Sequence, residues 1–303
     1  MAPLQSTLSP ENSLSARVPP MVWALDAFSK DFVRHARTAE AMQAHMPEGA
    51  IHPVYVLSET VFLNRGYSSF LRAALKPRAH KNLVAVLDHE LLSSLRRTGC
   101  LRPPRVLVES SADASLCTQR LLRYAKHIGA RLVGIGASGR SPLSRWFTGS
   151  FAETLISGSR LPLLITGPKQ GASLKIPTVF VLPTDFNPSR RIEFTELLEI
   201  AAKKKISLHL VHDETETAKA EAQHWMTAAC ERGVELRFVS AAVRTSAAKF
   251  IVAYARQIEN KNSPFIAIFG NRGLASNDGW LPARLTRDLI RSSPYPLYLW
   301  STV

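Results

Sequence analysis

The stretch GASGRSPLSRWFTGS, from Gly136 to Ser150, sets glycines at 136, 139 and 149 around Arg140 and Arg145 and ends in a hydroxyl. Glycine lacks a Cβ, so the main chain at such positions can turn freely and approach a ligand closely. The stretch follows the apolar run RLVGI and precedes the helix-like FAETLISG, which places it between a strand and a helix. Backbone N–H groups in such a turn, together with the positive end of the helix, hold phosphate in α/β proteins. The chemistry on offer is anion binding.

Other readings of the same residues fail on spacing. Gly134, Gly136 and Gly139 spell G-x-G-x-x-G, but a dinucleotide fingerprint needs an immediate helix and an acid about 20 residues later. Here RSPLSRW intervenes, Pro142 opposes a helix start, and positions 155–162 carry no acid. The P-loop pattern G-x-x-x-x-G-K-[ST] does not occur, and no G-x-S-x-G gives Ser138 a hydrolase setting. His209 and His212, three apart on a strand, project to opposite faces and do not suit one metal. Asp26, closing an early strand, is the acid that the order of elements brings near the glycine loop. No partner base accompanies it, which favours binding over turnover. Two of these residues also have ligand-free roles. Ser150 and Glu153 form an S-x-x-E capping box, and Asp26 can cap a helix beginning near Ser29 or hold a turn.

The elements that must position the loop occur twice. Positions 134–166 align without gaps against 268–300, and eight pairs are identical, among them Gly136/Gly270, Gly139/Gly273, Trp146/Trp280, Ser159/Ser293 and Pro162/Pro296. Chance gives roughly two in such a window. Upstream, VWALDAF and VFVLPTDF are apolar strands broken at Asp26 and Asp185, each followed by a helical pattern and a second strand, HPVYVLS or SLHLVHD. Strands alternating with helices predict parallel sheets covered on both faces. The chain therefore reads as a tail over 1–20 with disordered composition, a first domain over 21–168, the linker GPKQGASLK, and a second domain over 175–303. The first copy is longer by about 25 residues, which fall within 59–103 and add helical segments.

The whole stretch, with two residues between Gly136 and Gly139, nine before Gly149 and then Ser150, resembles the ATP-binding motif of the universal stress protein family. LPTDF on a first strand and the proline-initiated closing strands are similar to that family as well. The resemblance covers both halves, in tandem, and is weakest over 59–103. It implies two five-stranded, Rossmann-like α/β domains packed as a pseudo-dimer, with closing strands 161–166 and 295–300 paired. It also implies a bound adenine nucleotide, ATP or a relative, with Mg²⁺ on the phosphates. The site residues so implied are Asp26 and Val56 at the nucleoside, and Gly136, Gly139, Arg140, Gly149 and Ser150 at the phosphates. In the second copy Ala283-Arg284 replaces Gly149-Ser150, so one nucleotide is expected, in the first half.

Composition bounds the rest. At 46% apolar and 20% charged residues, the chain of 303 can bury substantial cores, and no apolar run approaches a membrane span. The net charge of +14 attracts anions, yet Lys and Arg are scattered and not interleaved with aromatics, which argues against a specific nucleic-acid surface. Three cysteines without metal spacing suit a reducing compartment and buried, inert thiols. The resulting expectation is a cytoplasmic, non-catalytic nucleotide-binding protein of the stress response, homo-oligomeric or pseudo-dimeric. A nucleotide-free interaction scaffold and a slow ATPase are the alternatives.

Overall fold

The computed structural model describes residues 19–29, 31–58, 60, 69–136, 151–169, 176–212, 216–241, 246–269 and 283–300. The first half alternates β1 (Pro20–Ala24), α1 (Phe32–His45), β2 (Ala50–Ser58), α2 (Ser69–Asp88), α3 (Ser93–Arg97), β3 (Arg105–Glu109), α4 (Ala114–His127), β4 (Leu132–Gly136), α5 (Phe151–Gly158) and β5 (Leu163–Thr166). The second half repeats the pattern with β6 (Val179–Pro183), α6 (Arg191–Lys204), β7 (Ser207–His212), α7 (Glu216–Glu231), β8 (Leu236–Ser240), α8 (Ala247–Ile258), β9 (Pro264–Phe269), α9 (Ala283–Ser292) and β10 (Leu297–Trp300). β1 begins at Pro20, the last residue of the segment read as a tail. The remainder of that segment, 1–18, lies outside the described residues.

Ten strands form one sheet in the order β3-β2-β1-β4-β5-β10-β9-β6-β7-β8. Pairing is parallel throughout each half. The inner strands β5, β6, β9 and β10 are buried along their whole length, as continuous apolar runs in a sheet covered on both faces must be. Edge strands β3 and β8 are partly or fully exposed at every residue.

The closing strands pair as expected. β5 and β10 run antiparallel with Leu163 opposite Leu299, Leu164 opposite Tyr298 and Ile165 opposite Leu297. These pairs are related by the same 134-residue offset as the repeat, so a pseudo-twofold axis passes between Leu164 and Tyr298. Helix ends from both halves converge there. His45 at the end of α1 is buried with its ring 4.5 Å from Tyr298, and its counterpart on α6 is Lys204. Gly167, just past β5, is forced by this closure, because a Cβ there would lie 2.7 Å from the Ile290 carbonyl oxygen of α9.

The repeat persists in individual hydrogen bonds. Ser159 donates its hydroxyl to the Leu161 carbonyl (2.8 Å) and accepts from the Leu161 N–H (3.1 Å). Ser293 does the same with Tyr295, at 2.9 and 3.0 Å. The additional length of the first half is helical, as its pattern predicts. SSFLRAALK opens the 20-residue α2, and LLSSLRR folds as a 3-10 turn (Glu90–Leu92) leading into α3. Leu92 and Leu95 are buried, and Phe32 stacks on His89 at 4.6 Å, so this segment packs beside the start of α1. One expectation is corrected: Cys100 and Cys117 are buried, but Cys230 on α7 is exposed, because it falls on the solvent side of an amphipathic helix.

Among the described residues no helix is long and apolar enough to cross a membrane.

Candidate functional site

The strand order reverses at β1. The chain leaves β1 to build β2 and β3 on one side and returns to place β4 and β5 on the other. Open α/β sheets bind ligands in the crevice beyond the carboxyl ends of the strands at such a switch point. Asp26 and Gly136 stand on the two sides of that crevice, since Ala24 is paired with Ile135.

Asp26 lies two residues past β1. Its Oδ1 accepts the Phe28 N–H at 2.9 Å, and its carbonyl accepts the Ser29 N–H at 3.2 Å. It therefore holds a turn and caps no helix. The cap of α1 is Asp31, whose carboxylate accepts the Arg34 N–H at 3.0 Å and pairs with the Arg34 guanidinium at 2.5 Å. Asp26 is 7% exposed, and its Oδ2 has no hydrogen-bond partner among the described residues. Burial pushes its carboxyl above the usual carboxylate range, opposed by the Phe28 N–H. A buried carboxylate oxygen with nothing to bond costs stability, so the position is unusual for a purely structural turn.

Gly136 ends β4 under the face of α1. A Cβ at 136 would meet Thr38 Oγ1 at 3.0 Å and Arg34 Cδ at 3.2 Å, so a larger residue here would need those side chains to give by a few tenths of an ångström. The Thr38 hydroxyl also donates to the Arg34 carbonyl (3.0 Å) and shares a 2.5 Å contact with the Thr166 hydroxyl at the end of β5. Val56 is buried on β2, paired with Leu107 and two residues beyond Val54, the last partner of β1. Its neighbour Ser58 donates to the Ser111 carbonyl at 2.7 Å, tying the end of β2 to the loop before α4.

Asp26, Val56 and Gly136 thus share the carboxyl end of the first half-sheet. Gly139, Arg140, Arg145, Gly149 and Ser150, with the Trp146/Trp280 pair, lie outside the described residues. So does the Glu153 side chain of the capping box. No local pattern marks Arg34, His35 and Thr38, which α1 presents to the same strand ends. His35 is buried beside Trp23, with ring centroids 6.2 Å apart, and burial lowers it to about 4, so it is neutral at physiological pH. Its Nε2 and the Trp23 Nε1 have no partner among the described residues. The spacing of RHART on α1 is that of an ordinary amphipathic helix and carries no separate signal.

The second half keeps the turn and differs in the residue after the aspartate. Asp185 Oδ1 accepts the Asn187 N–H at 3.1 Å, and Thr184 donates its N–H to Val211 as Leu25 does to Val54. Where the first copy has Ala27, the second has Phe186, buried at φ +52°. Its ring meets His212 at 5.1 Å, Trp225 at 5.2 Å and Phe238 at 5.9 Å, across the ends of β7 and β8. His209 turns instead to Tyr254, 2.7 Å away, so the two histidines do part to different surroundings.

Comparison with known proteins adds the family. Residues 22–167 match the universal stress protein family. This half of the chain is a universal stress protein domain. Among solved structures, a universal stress protein from Archaeoglobus fulgidus DSM 4304 superposes with a TM-score of 0.58 at 15% identity, covering 93% of this chain and 96% of that one. A functionally unknown protein from Pseudomonas aeruginosa PAO1 follows at 0.52 and 12% identity, over 94% and 93% of the two chains. Likeness at such identities is one of fold, and it extends through both halves around the universal stress protein domain. A half-length match, to the Archaeoglobus fulgidus universal stress protein in complex with dAMP, covers 40% of this chain and 96% of that one at 16% identity, with a TM-score of 0.31. No curated protein matches the chain.

Proposed function

We propose that the chain is a non-catalytic adenine-nucleotide-binding protein of the stress response, with one site, in the first half. The observation that carries the reading is the Asp26 carboxylate. It sits at the switch point with one oxygen held by the turn and the other buried without a partner among the described residues. A ribose or base donor would satisfy that oxygen and repay its burial. The glycine and arginine sequence of 136–150 leads from the end of β4 to the start of α5, and supplies a phosphate cradle. Gly139, Gly149 and Ser150 would hold the phosphates through N–H groups and a hydroxyl, Arg140 would add charge, and Val56 would give main-chain and apolar contact. Bound Mg²⁺ would neutralise phosphate charge. ATP is the ligand favoured by the motif, and nucleotide binding would bias the protein's interactions with its partners.

Ala283-Arg284 in place of Gly149-Ser150 supports assigning a single site, since it removes the second copy's glycine and hydroxyl. The test is calorimetric titration of ATP·Mg²⁺ into the nucleotide-stripped protein and into a Gly149→Ala/Ser150→Arg variant, which copies the second half into the first. One-site binding that the variant loses is the expected result. Absence of binding to the parent chain overturns the reading and leaves an interaction scaffold. Phosphate release at a steady rate on saturation would replace binding by slow ATP hydrolysis.

A further inference from the structure

At the amino ends of the first half's strands, opposite the nucleotide crevice, lies a groove of about 540 Å³ lined by His52, Arg102, Arg105, Tyr124 and His127. His52 is the third residue of β2, Arg105 opens β3, and Tyr124 and His127 close α4. Val106 and Ile128 supply an apolar wall. His52 Nδ1 lies 3.3 Å from the Tyr124 hydroxyl, with their rings near edge-to-face. The repeat duplicates this pair as His209 and Tyr254, at 2.7 Å.

The two copies differ in charge balance. Beside His209 stand Arg237, its partner across β7 and β8, and the carboxylate of Glu235. His52 is faced by Arg102 and Arg105, and no carboxylate lines the groove. Burial first, and then these two arginines, hold His52 below its ordinary value. The carbonyls at the end of α4 are engaged within the chain. Those of Tyr124, Ala125 and Lys126 accept N–H bonds from Ile128, Ala130 and Gly129 at 3.1, 2.8 and 3.1 Å. The first copy has thus gathered cations around a conserved internal pair without supplying an anion.

We propose that this groove binds a small organic anion, a phosphate or carboxylate on an apolar body. Arg102 and Arg105 would take the anionic group, His52 and Tyr124 would orient it, and the Val106–Ile128 wall would receive the body. The volume suits a ligand of metabolite size. The site is independent of the nucleotide reading, because it stands at the other end of the sheet.

Phenyl phosphate is the probe, followed by the histidine ring signals of the full chain in NMR. Saturable shifts of the His52 and His127 signals are expected, with those of His35 and His45 unmoved. Neutral benzyl alcohol should bind at least tenfold more weakly, and R102Q and R105Q should each weaken the probe by about tenfold, as loss of one charge-assisted bond does. Both arginines are exposed, so folding should survive, and an unchanged His209–Tyr254 signal would verify it. The Gly149→Ala/Ser150→Arg variant should bind the probe unchanged, separating this site from the nucleotide crevice. Absence of His52 shifts at high probe concentration overturns the proposal. So does unchanged affinity in the R102Q/R105Q double variant.

Discussion

Replacing Asp26 by Asn should make the protein more stable and a worse ligand binder at once. The turn survives, because the Asn Oδ1 accepts the Phe28 N–H as the Asp does. What changes is Oδ2, which is buried and has no partner among the described residues. Burial raises the carboxyl in the folded state, so folding disfavours the ionised form. The penalty is absent at low pH, grows as pH rises past the unfolded value of 3.8, and is complete above the folded value. An unsatisfied buried group costs about 1–3 kcal/mol, and a neutral amide should recover about half of it. Urea unfolding at pH 7 should therefore show a gain of about 1 kcal/mol, or a melting temperature raised by roughly 2–4 °C. At pH 3 the two proteins should match. Nucleotide affinity should fall between tenfold and a hundredfold, because the amide cannot accept at the Oδ2 position while its oxygen serves Phe28. A variant less stable at pH 7, or one that binds nucleotide as well as the parent, would refute the account of Asp26 as a ligand acceptor.

Other consequences follow from the seam between the halves. His45 is lowered by burial, and then by Lys204, to about 3, so its stabilising neutral form is lost as pH falls from 6.5 toward that value. On the order of 3 kcal/mol should disappear between pH 7 and pH 4 through this group, and His45→Phe should shift acid unfolding, followed by circular dichroism, to lower pH. Gly167→Ala sets a Cβ 2.7 Å from main-chain oxygen, which cannot swing aside, and thermal melts should show a loss of about 1–3 kcal/mol. Ser159→Ala and Ser293→Ala break equivalent turns and should each cost about 1 kcal/mol by urea titration, within error of one another.

Much of the fold was legible because parallel strands buried on both faces leave continuous apolar runs, and RLVGIG and FIAIFG announce themselves. The duplication was readable from the serine, proline and glycine positions at a fixed offset, which the paired hydrogen bonds of Ser159 and Ser293 explain in physical terms. The site was readable only in part. Glycine spacing and a strand-ending aspartate are local signals. Arg34, His35 and Thr38 reach the same place through the packing of α1 across β4, which no local pattern records. Gly136 itself answers to that packing as well as to any ligand. The exposed Cys230 shows the same limit from the other side, since the face a helix buries depends on what it packs against.

The tandem arrangement also lets the two copies differ at equivalent positions. In a homodimer one sequence must serve both crevices, so any residue that filled one would fill the other. Here the seam is internal, built from β5, β10 and the ends of α1 and α6, and it makes no demand on the ends of β6, β7 and β8. Phe186 takes that freedom. A left-handed conformation costs a non-glycine residue roughly 1–2 kcal/mol. Burying a phenylalanine side chain returns about 1.5–3 kcal/mol, and each well-placed aromatic neighbour adds about 0.5–1.5. With His212, Trp225 and Phe238 around the ring, the balance favours Phe186 in that conformation. The first copy, with the small Ala27 at the equivalent position, keeps beside it the Asp26 carboxyl that burial raises, at a cost to stability.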